Sequence, residues 1–192
     1  MFEQIVARAL SRLGLDQPGA DLHPRQPAPM LLQRAEKVVA SPDWVYEPKW
    51  DGFRTLASVR DGAVRLISRN GHSFTDLFGP VADALRAFPT PVVLDGEVIA
   101  INDRGQPDFE ALQARLRPRN GKLPDHVCYM VFDLLYVNGH SMLTRPLEER
   151  QAVLWELQPA LQTDAVKLSE AFPAAKSARL MKDALRWALR AS

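Results

Sequence analysis

The densest group of reactive side chains in this sequence is Glu47-Pro48-Lys49-Trp50-Asp51-Gly52-Phe53-Arg54, which lies where one predicted strand turns into the next. A lysine amine can attack phosphorus and form a phosphoramidate only when it is neutral, and a lysine in water has a pKa of ~10.4. A neighbouring cation, such as Arg54 or a metal ion, and the exclusion of water lower the pKa of a lysine in a site. The alternative interpretation is a solvated turn, in which Asp51-Gly52 bends the chain and the basic groups face water. This segment alone leaves both interpretations open.

Three further segments place polar or aromatic groups where they could line a site. Ser68-Arg69-Asn70-Gly71 is either an ordinary Asn-Gly turn or a turn that presents its arginine to a ligand. Leu94-Asp95-Gly96-Glu97 puts two carboxylates inside an apolar strand, where burial is costly unless they are paired or bind something. Tyr129–Tyr136 carries Phe132, which is either a core residue or a platform for a planar ligand.

Hydrophobic periodicity predicts an α+β fold in which these segments lie on short strands and turns. FRTLASVR and AVRLISR alternate around Asp61-Gly62, which is typical of a hairpin, and hairpins imply antiparallel sheets. Residues 2–13 predict a short amphipathic helix, and residues 14–29, with four prolines and two glycines, predict an extended arm. The other predicted elements are strands at 43–49, 91–101, 126–137 and 165–172 and helices at 76–88, 108–116, 146–157 and 174–190.

The composition argues against several classes of protein. The net charge of +1 over 192 residues gives no sign of a strongly basic nucleic-acid clamp. Cys128 is the single cysteine, so an intramolecular disulfide is impossible, and the four histidines are not spaced as zinc ligands. The N-terminus has no long apolar h-region and no apolar run approaches ~20 residues, which predicts a cytoplasmic protein that does not enter a membrane.

The four reactive segments together resemble a known superfamily. Lys-Trp-Asp-Gly-Phe-Arg is similar to motif I of the covalent nucleotidyltransferases, which include ATP-dependent DNA ligases, RNA ligases and mRNA capping enzymes. The three later segments resemble its S-R-x-G element, motif III and motif IIIa, and they follow in the expected order. From about residue 29 to 172 the chain resembles the ligase module of bacterial ligase D, an end-joining enzyme, through these strings: P-M-L, W-V-Y-E-P-K-W-D-G-F-R, L-D-G-E-V-I-A, P-D-F-E-A-L-Q, V-F-D-L-L-Y-V-N-G and R-P-L-E-E-R.

The resemblance implies an ATP-grasp-like covalent nucleotidyltransferase fold, with antiparallel sheets flanked by helices and incomplete at the C-terminus. It implies an ATP-dependent DNA ligase that seals DNA breaks in repair and recombination. Lys49 would take AMP covalently from ATP, with Asp51 and Arg54 as further catalytic residues. The implied cofactors are ATP and Mg²⁺ or Mn²⁺, and the implied partner is nicked or broken double-stranded DNA.

The resemblance also implies which residues bind the nucleotide and metal. Glu47 would accept a hydrogen bond from the adenine amino group, which favours ATP over GTP. Arg54 and Arg69 would contact the nucleotide, the latter on its sugar or phosphate side. Glu97 would hold the ribose and the metal, and the ring of Phe132 would stack on the purine.

The sequence departs from a complete adenylation domain of this family. Such a domain continues into motif IV, of the type E-G-x-V-x-K, then motif V with a pair of lysines, and then an OB-fold. These groups stabilise charge at the phosphate, so the chain alone is expected to adenylate weakly or not at all, and a polypeptide supplying them is a candidate partner. The expected division is residues 1–28, a helix and arm, and residues 29–192, a partial adenylation domain. The alternatives are a non-catalytic ligase-fold module that binds DNA, nucleotide or a repair partner, and a truncated remnant.

Overall fold

Eight strands and four helices occur in the part of the chain that the computed structural model describes, which comprises residues 2–20, 29, 41, 43–102, 104–114 and 126–173. The strands are β1 (Val45–Tyr46), β2 (Phe53–Arg60), β3 (Ala63–Ser68), β4 (Val92–Ala100), β5 (Val127–Val137), β6 (His140–Ser141), β7 (Val166–Leu168) and β8 (Phe172–Pro173). The helices are α1 (Phe2–Arg12), α2 (Gly79–Arg86), α3 (Phe109–Ala114) and α4 (Leu147–Leu161). The mixture confirms the predicted α+β class.

These elements form two compact units. The larger comprises the described residues of Met1–Pro29 and Trp50–Leu168, and the smaller comprises those of Met30–Lys49 and Ser169–Ser192. The smaller unit contains a two-stranded antiparallel sheet, in which Val45 lies opposite Pro173 and Tyr46 opposite Phe172. The four helices and the other six strands belong to the larger unit.

The larger unit is built on a six-stranded sheet with the order β3-β2-β4-β5-β6, to which β7 adds by pairing in parallel with β5. The other pairings are antiparallel. The predicted hairpin between β2 and β3 is confirmed: Asp61 and Gly62 have φ values of 51° and 75°, as a two-residue turn with positive φ at both positions requires. Strand β2 therefore has a hydrogen-bonded strand on each side, and its first residues, Phe53 and Arg54, are the last two residues of motif I.

One face of this sheet carries the main hydrophobic core. Successive side chains of a strand point to opposite faces, and Ala57, Val59, Leu94 and Val98 all belong to this core. The helices cover it with buried residues from α1, α2, α3 and α4: Val6, Ala9 and Leu10; Val81, Ala82 and Leu85; Leu112; and Val153, Leu154, Leu157 and Leu161. The opposite face is the one that Arg54 and Glu97 share as cross-strand partners; we call it the site face.

Strand β5 contains two β-bulges that change which side chains reach the site face. Asp95 lies opposite Asp133 while Gly96 lies opposite Val131, so Phe132 is an extra residue without a partner in β4. A second shift leaves Leu135 as an extra residue between Leu134 and Tyr136. A bulge allows two consecutive residues to lie on one side of a strand, and such irregularities are frequent next to active sites.

The N-terminal segment is part of the larger unit. Helix α1 packs against α4, where Arg12 pairs with Glu156 at 3.2 Å. The chain then docks on the turn between β5 and β6: Asn138 donates its side-chain N–H to the Leu15 carbonyl at 2.8 Å, and its own carbonyl accepts from Gly19 N–H at 2.9 Å. The proposed boundary at residue 28 stays a prediction, because residues 21–28 lie outside the described residues.

Some predicted elements are longer or shorter than the sequence pattern indicated. The strand predicted at 43–49 pairs only at Val45 and Tyr46, since Pro48 has no N–H with which to continue a ladder. The strand predicted at 165–172 divides into β7 and β8, which pair in different sheets. Helix α4 continues past Pro159 to Leu161 because Leu161 extends its buried face. The helix predicted at 174–190 lies outside the described residues.

The glycine of the Leu94-Asp95-Gly96-Glu97 segment makes room for a buried tyrosine. A Cβ atom on Gly96 would lie 2.5 Å from both the Met130 carbonyl oxygen and a ring carbon of Tyr129. The Tyr129 side chain extends across β4, and its hydroxyl donates towards the Thr55 carbonyl oxygen at 2.9 Å. This contact ties the centre of β5 to β2 across the intervening strand.

Replacing Gly96 with alanine is therefore expected to lower the free energy of unfolding by about 1–3 kcal/mol, as other overpacked cores do. The control is Gly79→Ala at the start of α2, where an added Cβ meets nothing within 4 Å. That change is expected to alter the free energy by less than about 0.5 kcal/mol. Urea unfolding of the two variants is the measurement, and equal stabilities would show that the Tyr129 ring does not constrain this position.

Candidate active site

The structure divides the predicted site residues between the two units. Glu47 and Lys49 belong to the smaller unit, in the exposed segment that follows β1. The remainder belong to the larger unit: Asp51 is exposed just before β2, and Arg54, Arg69, Glu97 and Phe132 lie on or next to β2, β3, β4 and β5.

Arg54 and Asp95 form a two-point ion pair at the centre of the site face. The arginine Nε and Nη2 atoms donate to the two carboxylate oxygens at 2.6 and 2.7 Å. The Asp95 side chain is 2% exposed and that of Arg54 is 21% exposed, so the pair is largely shielded from water. The sequence predicts that a carboxylate buried in motif III is paired or binds a ligand, and in the structure its partner is the arginine of motif I.

The surroundings shift the acid–base properties of both partners. Burial raises the pKa of Asp95, and the hydrogen bonds and charge of Arg54 oppose that rise. Burial alone would lower the pKa of Arg54, but its hydrogen bonds and charge interaction with Asp95 raise it above its ordinary value. Arg54 is therefore a permanent cation at the floor of the site face.

Phe132 lies directly beneath this cation. The guanidinium carbon of Arg54 is 4.4 Å from the centroid of the Phe132 ring, a cation–π contact. The bulge in β5 brings the ring to the face that carries Arg54. Because one surface of the ring is covered by the guanidinium, a stacked base would have to use the other surface.

A second two-point ion pair lies beside the first, and its arginine is not among the site residues predicted from the sequence. Arg150, in the first turn of α4, donates from Nε and Nη2 to the two oxygens of Asp133 at 2.8 and 2.9 Å. Both side chains are 11% exposed. Asp133 lies directly opposite Asp95 in the β4–β5 register. The sequence contained a signal for Arg150, because a buried aspartate in motif IIIa needs a cation and the R-P-L-E-E-R string supplies one.

The Ser68-Arg69-Asn70-Gly71 turn joins this region through the backbone. Arg69 N–H donates to the Arg54 carbonyl at 3.2 Å, and Gly71 has a φ of 84°, which confirms the predicted turn. An open cleft of about 1050 Å³ lies between this turn, the start of β2 and the middle of β4. Its charged and polar lining includes Arg54, Ser68, Arg69, Asn70, His72, Asp76 and Glu97. The structure thus brings three of the predicted ligand-binding residues to one cleft.

Comparison with known sequences decides the family. The profile of the ATP dependent DNA ligase domain matches residues 29–191, which is most of the chain. The chain belongs to the ATP-dependent DNA ligase domain family. The resemblance of its four motifs to ligase adenylation domains is thereby confirmed, and its sheet and helices are those of a ligase nucleotidyltransferase domain.

Individual relatives of this ligase domain agree with the assignment. It is 36% identical over 128 residues to the multifunctional non-homologous end joining protein LigD of Pseudomonas aeruginosa, covering 66% of this chain and 15% of that protein. It is 38% identical over 167 residues to DNA ligase C of Mycobacterium tuberculosis, covering 83% of this chain and 45% of that protein. A solved structure of mycobacterial DNA ligase D complexed with ATP and MES aligns with a TM-score of 0.56 and 30% identity, over 69% of this chain and 42% of that one. The chain thus spans less than half the length of each of these relatives.

The described part of the ligase domain contains no ready-made set of metal ligands. Within it, no group of three or more histidine, cysteine, aspartate and glutamate residues is placed to hold a metal ion. Asp95 and Asp133 each accept two hydrogen bonds from an arginine. Mg²⁺ is commonly held by one or two carboxylates together with substrate phosphates, and Glu97, opposite Arg54, suits that arrangement. In the same residues no helix is both long and apolar enough to cross a membrane.

Proposed function

We propose that this ligase domain binds ATP on the site face and transfers its AMP group to Lys49, as the first step in joining DNA ends in the cytoplasm. The observation that carries the proposal is the Arg54–Asp95 ion pair stacked on Phe132. A permanent cation and an aromatic ring are fixed before any ligand arrives, and their positions do not have to be organised at the moment of reaction. The family match supplies the reaction class.

The chemical step forms a P–N bond between the Lys49 Nζ atom and the α-phosphorus of ATP. The bond from that phosphorus to the bridging oxygen breaks, pyrophosphate leaves, and the proton lost from Nζ passes to water. Arg54 and Arg69 would bind the negative charge of the nucleotide. Asp51 lies two residues after the nucleophile, and we propose that it is a further catalytic residue.

We place the adenine base on the surface of the Phe132 ring that Arg54 does not cover. Adenine stacked there would present its edge to a hydrogen-bond acceptor, and Glu47 is the proposed acceptor for the adenine amino group. Guanine carries a carbonyl oxygen at that position, so the same carboxylate would disfavour GTP. Mg²⁺ or Mn²⁺ held by Glu97 and the phosphates would offset negative charge on the nucleotide.

We propose that the later steps use groups outside this sequence. AMP would pass from Lys49 to the 5′-phosphate at a nick, and the 3′-hydroxyl would then displace AMP to seal the strand. Motifs IV and V and an OB-fold would supply the remaining phosphate and DNA contacts, on a continuation of this chain or on a partner polypeptide. The substrate would be nicked or broken double-stranded DNA.

Labelled nucleotides test this function. We expect α-labelled ATP with Mg²⁺ to leave weak covalent label on the 192-residue chain, and γ-labelled ATP to leave none. The α-label is expected to increase when a polypeptide with motifs IV and V and the OB-fold is added. GTP is expected to compete poorly. Nucleotide binding without any label under either condition would favour a non-catalytic binding module, and the absence of both binding and label would contradict the proposal.

A further inference from the structure

The ion pair between Asp133 and Arg150 has no part in the chemistry above, although it has the same two-point hydrogen bonding as the pair beside it. Arg150 uses three donors: two reach Asp133, and Nη1 donates to the Arg145 carbonyl at 2.6 Å. One oxygen of Asp133 also accepts from the Leu134 N–H at 2.8 Å. The position of Arg150 is fixed by α4, whose Val153 and Leu154 are buried in the core one turn later. This arginine is therefore held in place by the fold.

The neighbouring carboxylate explains why such an arrangement is needed. Asp95 and Asp133 lie directly opposite each other in the β4–β5 register, and both side chains are largely buried. Two like charges at opposing positions of an antiparallel pair repel. Each carboxylate therefore needs an arginine of its own: Arg54 on β2 pairs with Asp95, and Arg150 on α4 pairs with Asp133.

Without Arg150, the two carboxylates would compete for one cation. Arg54 has five N–H donors on a flexible side chain, and an unpaired Asp133 at the adjacent position would attract it. Any move of the guanidinium towards Asp133 would change its hydrogen bonds to Asp95 and its position over the Phe132 ring. The cation and the aromatic surface of the site face would then no longer be fixed.

We propose that Arg150 is a positioning residue for nucleotide binding, which holds Asp133 so that Arg54 stays paired with Asp95 and stacked on Phe132. The inference rests on the proposed binding of ATP at this face. Arg150 acts only through Asp133 and Arg54, and it does not itself contact the nucleotide.

The test compares ATP affinity and thermal stability in the same preparations of four proteins: the unsubstituted chain, Arg150→Met, Arg150→Lys and the double variant Asp133→Asn with Arg150→Met. Equilibrium dialysis with labelled ATP gives the affinity. We expect Arg150→Met to weaken ATP binding about tenfold, the size of one lost charge-assisted contact. Arg150→Lys keeps the charge without the two-point geometry, so its loss is expected to be smaller. The double variant removes the competing charge and is expected to return to within about threefold of the unsubstituted affinity.

The control is Arg145→Met, which removes an exposed arginine just before α4 and leaves its backbone carbonyl in place to accept from Arg150. It is expected to bind ATP as the unsubstituted chain does. Unchanged ATP affinity in a folded Arg150→Met protein overturns the inference. Should that variant fail to fold, a double variant that melts normally but binds ATP about tenfold more weakly overturns it equally, because no competing carboxylate charge remains. If the unsubstituted chain does not bind ATP, the proposed function is overturned together with this inference. If it binds ATP and a folded Arg150→Met protein binds ATP equally well, only this inference is overturned.

Discussion

Replacing Lys49 with arginine or alanine will reduce the covalent label from α-labelled ATP to background. An arginine keeps the positive charge but has no neutral amine at neutral pH, so it cannot form the P–N bond. The measurement follows protein-bound label in the presence of a polypeptide that supplies motifs IV and V and the OB-fold, where the signal is expected to be largest. A phosphoramidate is released by acid and survives alkali, which distinguishes it from a phosphate ester.

The control for this prediction is Lys167→Arg, on β7. Lys167 is an exposed lysine in the described part of the chain and has no role in the proposed reaction. Its replacement is expected to leave the label intact, and ATP binding by Lys49→Ala is expected to remain within about threefold, because the base and sugar contacts lie elsewhere. Label that persists in Lys49→Arg and maps to another residue would exclude Lys49 as the nucleophile.

The order of the motifs along the sequence carried most of the functional assignment. Gly52 and Gly96 lie at close backbone approaches and Gly71 lies in a turn, and the lysine, arginines and carboxylates of the motifs that contain these glycines lie within three residues of them. The β2–β3 hairpin was equally predictable, because Asp61-Gly62 permits few other conformations. These features are local in sequence, so they can be recognised in a single sequence.

The partners of the buried charges could not be predicted in the same way. Arg54 and Asp95 are 41 residues apart, and Asp133 and Arg150 belong to a strand and a helix. Which arginine serves which carboxylate depends on the register of β4 with β5, and a bulge at Phe132 shifts that register by one residue. Strict alternation along β5 would have placed Phe132 and Asp133 on opposite faces. Long-range pairing of this kind is set by the packed sheet, and no pattern within either strand reveals it.

Replacing Arg54 with methionine is expected to lower the free energy of unfolding by about 3–5 kcal/mol, the typical cost of leaving a buried charge without its partner. Asp95 is 2% exposed, so water cannot take the place of the guanidinium. The double variant Arg54→Met with Asp95→Asn removes both charges and is expected to recover most of this loss. Urea unfolding at pH 7 measures all three proteins.

The pH dependence of the Arg54→Met variant gives the same prediction a second, independent measurement. Burial already raises the pKa of Asp95, and loss of Arg54 removes the hydrogen bonds that oppose that rise. At a pH between the pKa of an unfolded aspartate, ~3.9, and the raised pKa of Asp95 in the folded variant, the folded protein holds a proton that the unfolded chain has released. The free energy of unfolding therefore falls as the pH rises through this range. The variant should therefore be closest to the unsubstituted protein in stability at acid pH.

Arg145→Met is the control for Arg54→Met, because Arg145 and Glu149 are each about half exposed. It should change the free energy of unfolding by less than about 0.5 kcal/mol. Equal losses in Arg54→Met and Arg145→Met would mean that the floor of the site face is not held by its central ion pair.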